Sequence, residues 1–219
     1  MRALTACIVG SSVGVCLGAP VDPFTETFNA DNSSWADVDS NPATWAPAGG
    51  PDGSGFITTG IADLSLANPQ SGFLLFRGEE GLGSSGGAFA GDYLAGNITE
   101  VSFDVRLLGP GPASFYVRLA GPAGAFILLE FAPAAPGTWQ TVTFDFSASN
   151  PGYIPEGPPG PGLFNAVAPD VDRFQIGMIP AGPQTGSATV QIDNVRLIPT
   201  PASAALLGLG GLVAVRRRR

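Results

Sequence analysis

The 219 residues include no histidine and no lysine, and their two cysteines, Cys7 and Cys16, both lie close to the start. Without histidine there is no Ser-His-Asp or Cys-His machinery. Without histidine or further cysteine there is no ordinary zinc or copper site. Charge is also scarce, at 13% of residues, and of uneven sign. Between Val21 and Ile198 five arginines (Arg77, Arg106, Arg118, Arg173, Arg196) face eighteen acids, while the other five arginines sit at the two ends. A body that acidic repels phosphate backbones, so nucleic acid is excluded as a partner.

What the chain has in quantity is glycine (31) and proline (21). Both are costly inside helices, and with 44% hydrophobic residues they point to one turn-rich all-β domain with a real core. From Phe24 to Ile198 short apolar runs alternate with Gly, Pro, Asn and Asp, which predicts nine to eleven strands. The clearest are Gly72–Gly78, Glu100–Leu108, Ser114–Ala120, Ala125–Phe131, Thr138–Phe146, Arg173–Ile179 and Ser187–Ile198. Val101, Phe103, Val105 and Leu107 share one face and Ser102, Asp104 and Arg106 the other, the period of two of a half-buried strand. Strands of this kind predict an all-β, jelly-roll-like antiparallel β-sandwich with long loops at Asn41–Gly55, Gly78–Asn97 and Ser149–Gly162. Trp139, which opens an alternating strand, is expected in the core.

Each end carries an address. Residues 1–19 show one early charge, an apolar run from Ala3 to about Leu17 and small residues at Gly18 and Ala19, the pattern of a secretory signal peptide cut by signal peptidase. Pro20 hinders a cut after Ala19 and leaves Gly18 as an alternative. Either cut leaves a mature chain without cysteine, which needs no disulfide after export. Residues 20–198 then form the domain, and 199–219 a terminal segment. There, fourteen apolar or small residues from Ala202 to Val215 would reach roughly 21 Å as a helix, against roughly 30 Å of hydrocarbon. The span is marginal, and the arginines at its end would stay cytoplasmic.

This tail, with Pro199-Thr200-Pro201 ahead of the apolar run and Arg216, Arg217, Arg218 and Arg219 behind it, resembles a PEP-CTERM sorting domain. Threonine stands where that family has glutamate. The resemblance covers about a tenth of the chain and implies an exported bacterial protein, transiently anchored and handed to an exosortase-type membrane enzyme for release to the cell surface or extracellular matrix.

"GGAFAGDYLAGNITEVSFDVRL" (Gly86 to Leu107) and the closing "IDNVRL" (Ile192 to Leu197) are similar to laminin-B-like and carbohydrate-binding jelly rolls. That resemblance implies the fold and, by position, a structural calcium between the first and last strands, held by Glu26, Asp193 and Asp31. Trp35, Trp45 and Tyr93, in loop-like stretches, either close the ends of the sandwich, the favoured reading, or serve as platforms for stacking a sugar. No strand carries the closely spaced acids of a sandwich-fold glycosidase, and the adjacent pair Glu79-Glu80 reads as solvated loop charge. The leading expectation is a non-enzymatic structural or adhesive protein. Its alternatives are a carbohydrate-binding module for envelope or matrix polysaccharide, and a glycosidase of the same fold.

Overall fold

The computed structural model describes residues 18–68, 72–157 and 161–200. Among them are eleven strands: β1 (Phe24–Glu26), β2 (Thr44–Ala46), β3 (Phe56–Ile61), β4 (Phe73–Glu79), β5 (Ile98–Leu108), β6 (Ala113–Gly121), β7 (Gly124–Leu129), β8 (Trp139–Asp145), β9 (Tyr153–Glu156), β10 (Arg173–Pro180) and β11 (Ala188–Pro199). One short helix, α1 (Pro161–Val167), joins them. The seven strands expected from alternation are all present, within a few residues of their expected bounds.

The strands form two antiparallel sheets, one in the order β2-β3-β11-β5-β8 with β1 on β11, the other β4-β10-β6-β7-β9. Pairing is nested: β3 with β11, β4 with β10, β5 with β8, and β6 with β7. A long hairpin rolled on itself gives this order, so the sandwich is a jelly roll. Inward residues alternate as the sequence predicts. Val101, Phe103 and Val105 of the first sheet and Phe115, Val117 and Leu119 of the second are buried, and the Phe103 and Phe115 rings meet edge to face 6.2 Å apart.

Two segments between strands, around Trp35 and around Tyr93, complete this core. Trp35 and Tyr93, two of the candidate platforms, are fully buried and close the sandwich instead. The Trp35 ring makes edge contacts with Phe28, Phe89 and Phe174, and its indole N–H donates to Ser85 Oγ at 2.8 Å. Tyr93 stacks at 5.2 Å on Phe146 and its hydroxyl donates to the Phe89 carbonyl. Phe164 of α1 extends the same aromatic cluster over Phe126 and Tyr153. Trp139 departs the other way. It lies on the outer face of β8, where its ring and that of Phe56 flank Arg106 at 4.9 and 5.8 Å.

The folded body begins earlier than residue 20, since the Gly18 amide donates to the Pro169 carbonyl and the Ala19 carbonyl accepts from the Asp92 amide. At the other end β11 runs through Pro199, and the Thr200 amide donates to the Asn97 carbonyl. The rest of the expected leader (1–17) and of the expected sorting segment (201–219), including Pro201 and the four arginines, lies outside the described residues. Among the described residues no helix is long and apolar enough to cross a membrane.

Candidate functional site

The sequence gathers its polar residues most tightly on the outer face of the five-stranded sheet. Gln175 of β10 stands opposite Arg77 of β4 on one side and Arg118 of β6 on the other, and Arg118 stands opposite Ile127 of β7. Because Phe76, Phe174, Val117 and Phe126 point inward, these four neighbours must point out.

Hydrogen bonds join the polar members into one row. Arg77 grips Glu79 with both Nε and Nη2, at 2.7 and 2.8 Å, and also bonds Ser40 Oγ. Gln175 Nε2 donates to the same Glu79 Oε1, and Gln175 Oε1 accepts from Arg118 Nη1 at 2.7 Å. Arg118 Nε then donates to Glu156 Oε2 of β9 at 2.8 Å. The row crosses the sheet from the 37–42 turn to β9. Burial by itself would raise the Glu79 carboxyl, but the fork of Arg77 and the Gln175 amide outweigh it and hold Glu79 below its ordinary value.

The row borders a shallow groove of about 320 Å³ lined by Leu74, Arg77, Tyr116, Arg118, Ile127, Glu156 and Gln175. Its floor is fixed by a glycine. A Cβ on Gly177 would sit 2.0 Å from Tyr116 Cζ, so only glycine lets the tyrosine ring lie flat across the strand, with its hydroxyl donating to the Phe73 carbonyl. Burial, and next the charge of Glu156, push this phenol up to about 12, so it stays neutral at any physiological pH.

The six-stranded sheet carries a second polar cluster under the 47–55 loop. Asp193 and Asp104 stand opposite each other on β11 and β5. Asp193 accepts from Ser54 Oγ at 2.5 Å and from the Asn194 amide, while Asp104 accepts from Thr141, Asn194 and Arg196. Burial, and secondarily the nearby Asp52 and Asp104 charges, raise the Asp193 carboxyl. A raised value contributes stability that is fully present below the unfolded value of 3.8 and is lost as pH rises through the folded one. Asp193→Asn removes that titration. The melting temperature of the native chain relative to the variant is therefore expected to be higher at pH 4 than at pH 7, and melts at the two pH values check it.

The calcium set does not converge. Glu26 pairs with Val195 on the inner side of the sheet, and a bulge at Asn194 (φ 50°) puts Asp193 on the outer side. The Glu26 carboxylate is taken by the Phe28 amide and Ser85 Oγ, and Asp31 caps an exposed turn through the Ser33 amide. Among the described residues no three acids are grouped to hold a metal ion. Trp45 is half-buried, with its indole N–H fixed at 2.6 Å on the Phe28 carbonyl. None of the three candidate aromatic platforms lines the groove, and none of the groove's polar residues was singled out in sequence.

No family model matches the chain, and no curated protein matches its sequence. Its backbone is similar to that of an exo-beta-agarase, at 15% identity and a TM-score of 0.50 over 80% of this chain, which spans 24% of the agarase chain. It is also similar to the L4b domain of human laminin alpha-2 (11% identity, TM-score 0.48, 82% of this chain and 99% of that one). A third similar structure is the family 11 carbohydrate-binding module of a cellulosomal cellulase of Clostridium thermocellum (13%, 0.45, 83% and 97%). At such identities the likeness is one of fold.

Proposed function

We propose that this chain is an exported, non-catalytic binding module that lays an extended glycan across the outer face of its five-stranded sheet. The observation that carries the reading is the hydrogen-bonded row Arg77–Glu79–Gln175–Arg118–Glu156 along a shallow groove. Its donors and acceptors are held in place before any ligand arrives, so little ordering is needed to bind a hydroxyl-rich chain. The groove is open rather than enclosed, which suits a polymer better than a small molecule.

Catalysis is disfavoured by the same bonds. Acid-assisted glycoside cleavage needs one carboxyl raised to hold a proton near neutrality. Of the row's two carboxylates, Glu79 is lowered, and Glu156 is bound by a guanidinium 2.6 Å away. Delivery belongs to the same reading: the leader is removed by signal peptidase, and the terminal segment is read by an exosortase-type enzyme that places the domain at the surface or in the matrix.

Affinity electrophoresis through gels cast with neutral and acidic polysaccharides tests the function, with reducing-sugar release measured alongside. Retardation on at least one extended glycan without release of sugar is the expected result. Unretarded migration on every polymer, or sugar release, overturns it.

A further inference from the structure

The groove carries two cations and is still neutral, because a carboxylate matches each guanidinium. Arg77 Nε lies 2.7 Å from Glu79 Oε1, and Arg118 Nη2 lies 2.6 Å from Glu156 Oε2. The bond to Glu79 first, and the Asp37 charge in addition, outweigh burial and raise the Arg77 guanidinium, so this pair stays ionised. Among the described residues the other arginines are engaged as well. Arg173 pairs with Asp172 at 3.0 Å and Arg196 with Asp104 at 3.1 Å, while Arg106 lies between the Trp139 and Phe56 rings with its Nε on Gln191. Five arginines against eighteen acids leave this body with an excess of thirteen negative charges.

The two pairs of the groove differ in exposure. The Glu79 side chain is covered, at 8%, whereas that of Glu156 is 34% exposed beside a partly exposed Arg118. An open pair presents an acceptor and a donor side by side. A sugar hydroxyl donates and accepts at once, so it can bond both members without parting them. A carboxylate or sulfate on a sugar only accepts. It must either push Glu156 off Arg118 or lie uncompensated against it, on a body that already repels it. Leu74 and Ile127 complete the lining with apolar surface, which suits the C–H faces of a sugar ring.

We infer that the groove selects neutral polysaccharides and rejects those bearing uronate or sulfate, with Glu156 as the specificity-determining residue. By matching the charge of Arg118, Glu156 withholds a half-exposed cation from any anionic sugar. The inference rests on the glycan-binding reading.

Binding of the full-length chain to bead-immobilised polymers tests it. One set of beads carries a neutral glucan, galactan, mannan or xylan, the other polygalacturonate, alginate or dextran sulfate. Binding is measured at roughly 0.1 M and roughly 1 M salt, between which the screening length falls from about 10 Å to about 3 Å. It is read against the Arg118→Ala variant, so that Arg216 to Arg219 contribute equally to both chains. Arg118-dependent binding is expected on at least one neutral polymer at both salt concentrations, and on no acidic one. Arg118-dependent binding to an acidic polymer, or neutral binding that fails at high salt, overturns the inference while the glycan reading stands. Absence of Arg118-dependent binding on every polymer overturns both. Glu156→Gln keeps the shape and an oxygen for Arg118 but leaves its charge unmatched, and the pair is exposed enough for the fold to tolerate the change. This variant is expected to bind dextran sulfate about tenfold more tightly than the native chain at the lower salt, and equally at the higher. Unchanged affinity at the lower salt removes Glu156 as the determinant.

Discussion

Trp35→Ala is expected to lower the melting temperature by roughly 10 °C while leaving any glycan binding by the folded fraction intact. The side chain is fully buried, at 0% exposure, among Phe28, Phe89 and Phe174. Emptying a site of that volume costs about 3–5 kcal/mol, and in a domain of this length each kcal/mol moves the midpoint by about 2–4 °C. The loss also reaches the polar groups beneath it. Ser85 Oγ accepts from the indole and donates to Glu26 Oε2, so the variant leaves a gap beside a buried carboxylate. Gly78 of β4 lies against the same ring, its position for a Cβ only 2.7 Å from Trp35 Cζ2. No side chain there can lean in to fill the cavity without a strand moving. Thermal melts of the two proteins check the first half, and affinity electrophoresis below the variant's midpoint checks the second. A surface platform would give the opposite pattern, with binding lost and stability kept.

The contrast between Trp35 and the sheet residues shows which parts of the molecule could be read in advance. Alternation in Glu100–Leu108 names the inward set Val101, Phe103, Val105 and Leu107 because a strand's period of two is local information. Trp35 has no such frame. It stands between Asn32 and Asp37, residues whose side chains serve turn backbone, as in the Asn32 oxygen accepting from the Ser34 amide and the Asp37 carboxylate from the Asp39 amide. Turn chemistry and burial coexist there because the loop's own amides are satisfied, with the Trp35 amide donating to the Asn32 carbonyl. Tyr93, between glycines 91 and 96, is hidden for the same reason.

The groove was illegible for another cause. Alternation does say that Arg77, Arg118 and Gln175 point away from the core, but it does not say that they are neighbours. Their contacts join residues 57 and 96 apart along the chain (Arg118 to Gln175, Glu79 to Gln175). Only the nested order, which sets β10 between β4 and β6, brings them into a row. Glu79 misleads in addition. Its neighbour Glu80 is exposed loop charge as expected, yet Glu79 is the last residue of β4 and buried beneath Arg77. One residue of strand separates a solvated carboxylate from a paired one.

Arg118→Ala is expected to weaken glycan binding at least tenfold, with a smaller cost in stability. Arg118 is the hinge of the row, since its Nη1 fixes Gln175 and its Nε and Nη2 fix Glu156. Its side chain is 26% exposed, so part of the guanidinium is already turned to solvent, where a ligand hydroxyl can meet it. A hydrogen bond to a charged group contributes about 1.5–3 kcal/mol, and 1.4 kcal/mol is a factor of ten in affinity. Removing the guanidinium also frees Gln175 and Glu156 to move, so a ligand must order groups that were held before. The pair itself is half-exposed, and its loss alone costs the fold about 1 kcal/mol or less. Arg118→Lys separates charge from shape: a lysine keeps the positive charge but cannot fork to Gln175 and Glu156 together. Binding that falls for both variants assigns the effect to the fixed fork. Binding kept by the lysine assigns it to charge alone, and binding kept by the alanine removes the groove as the site.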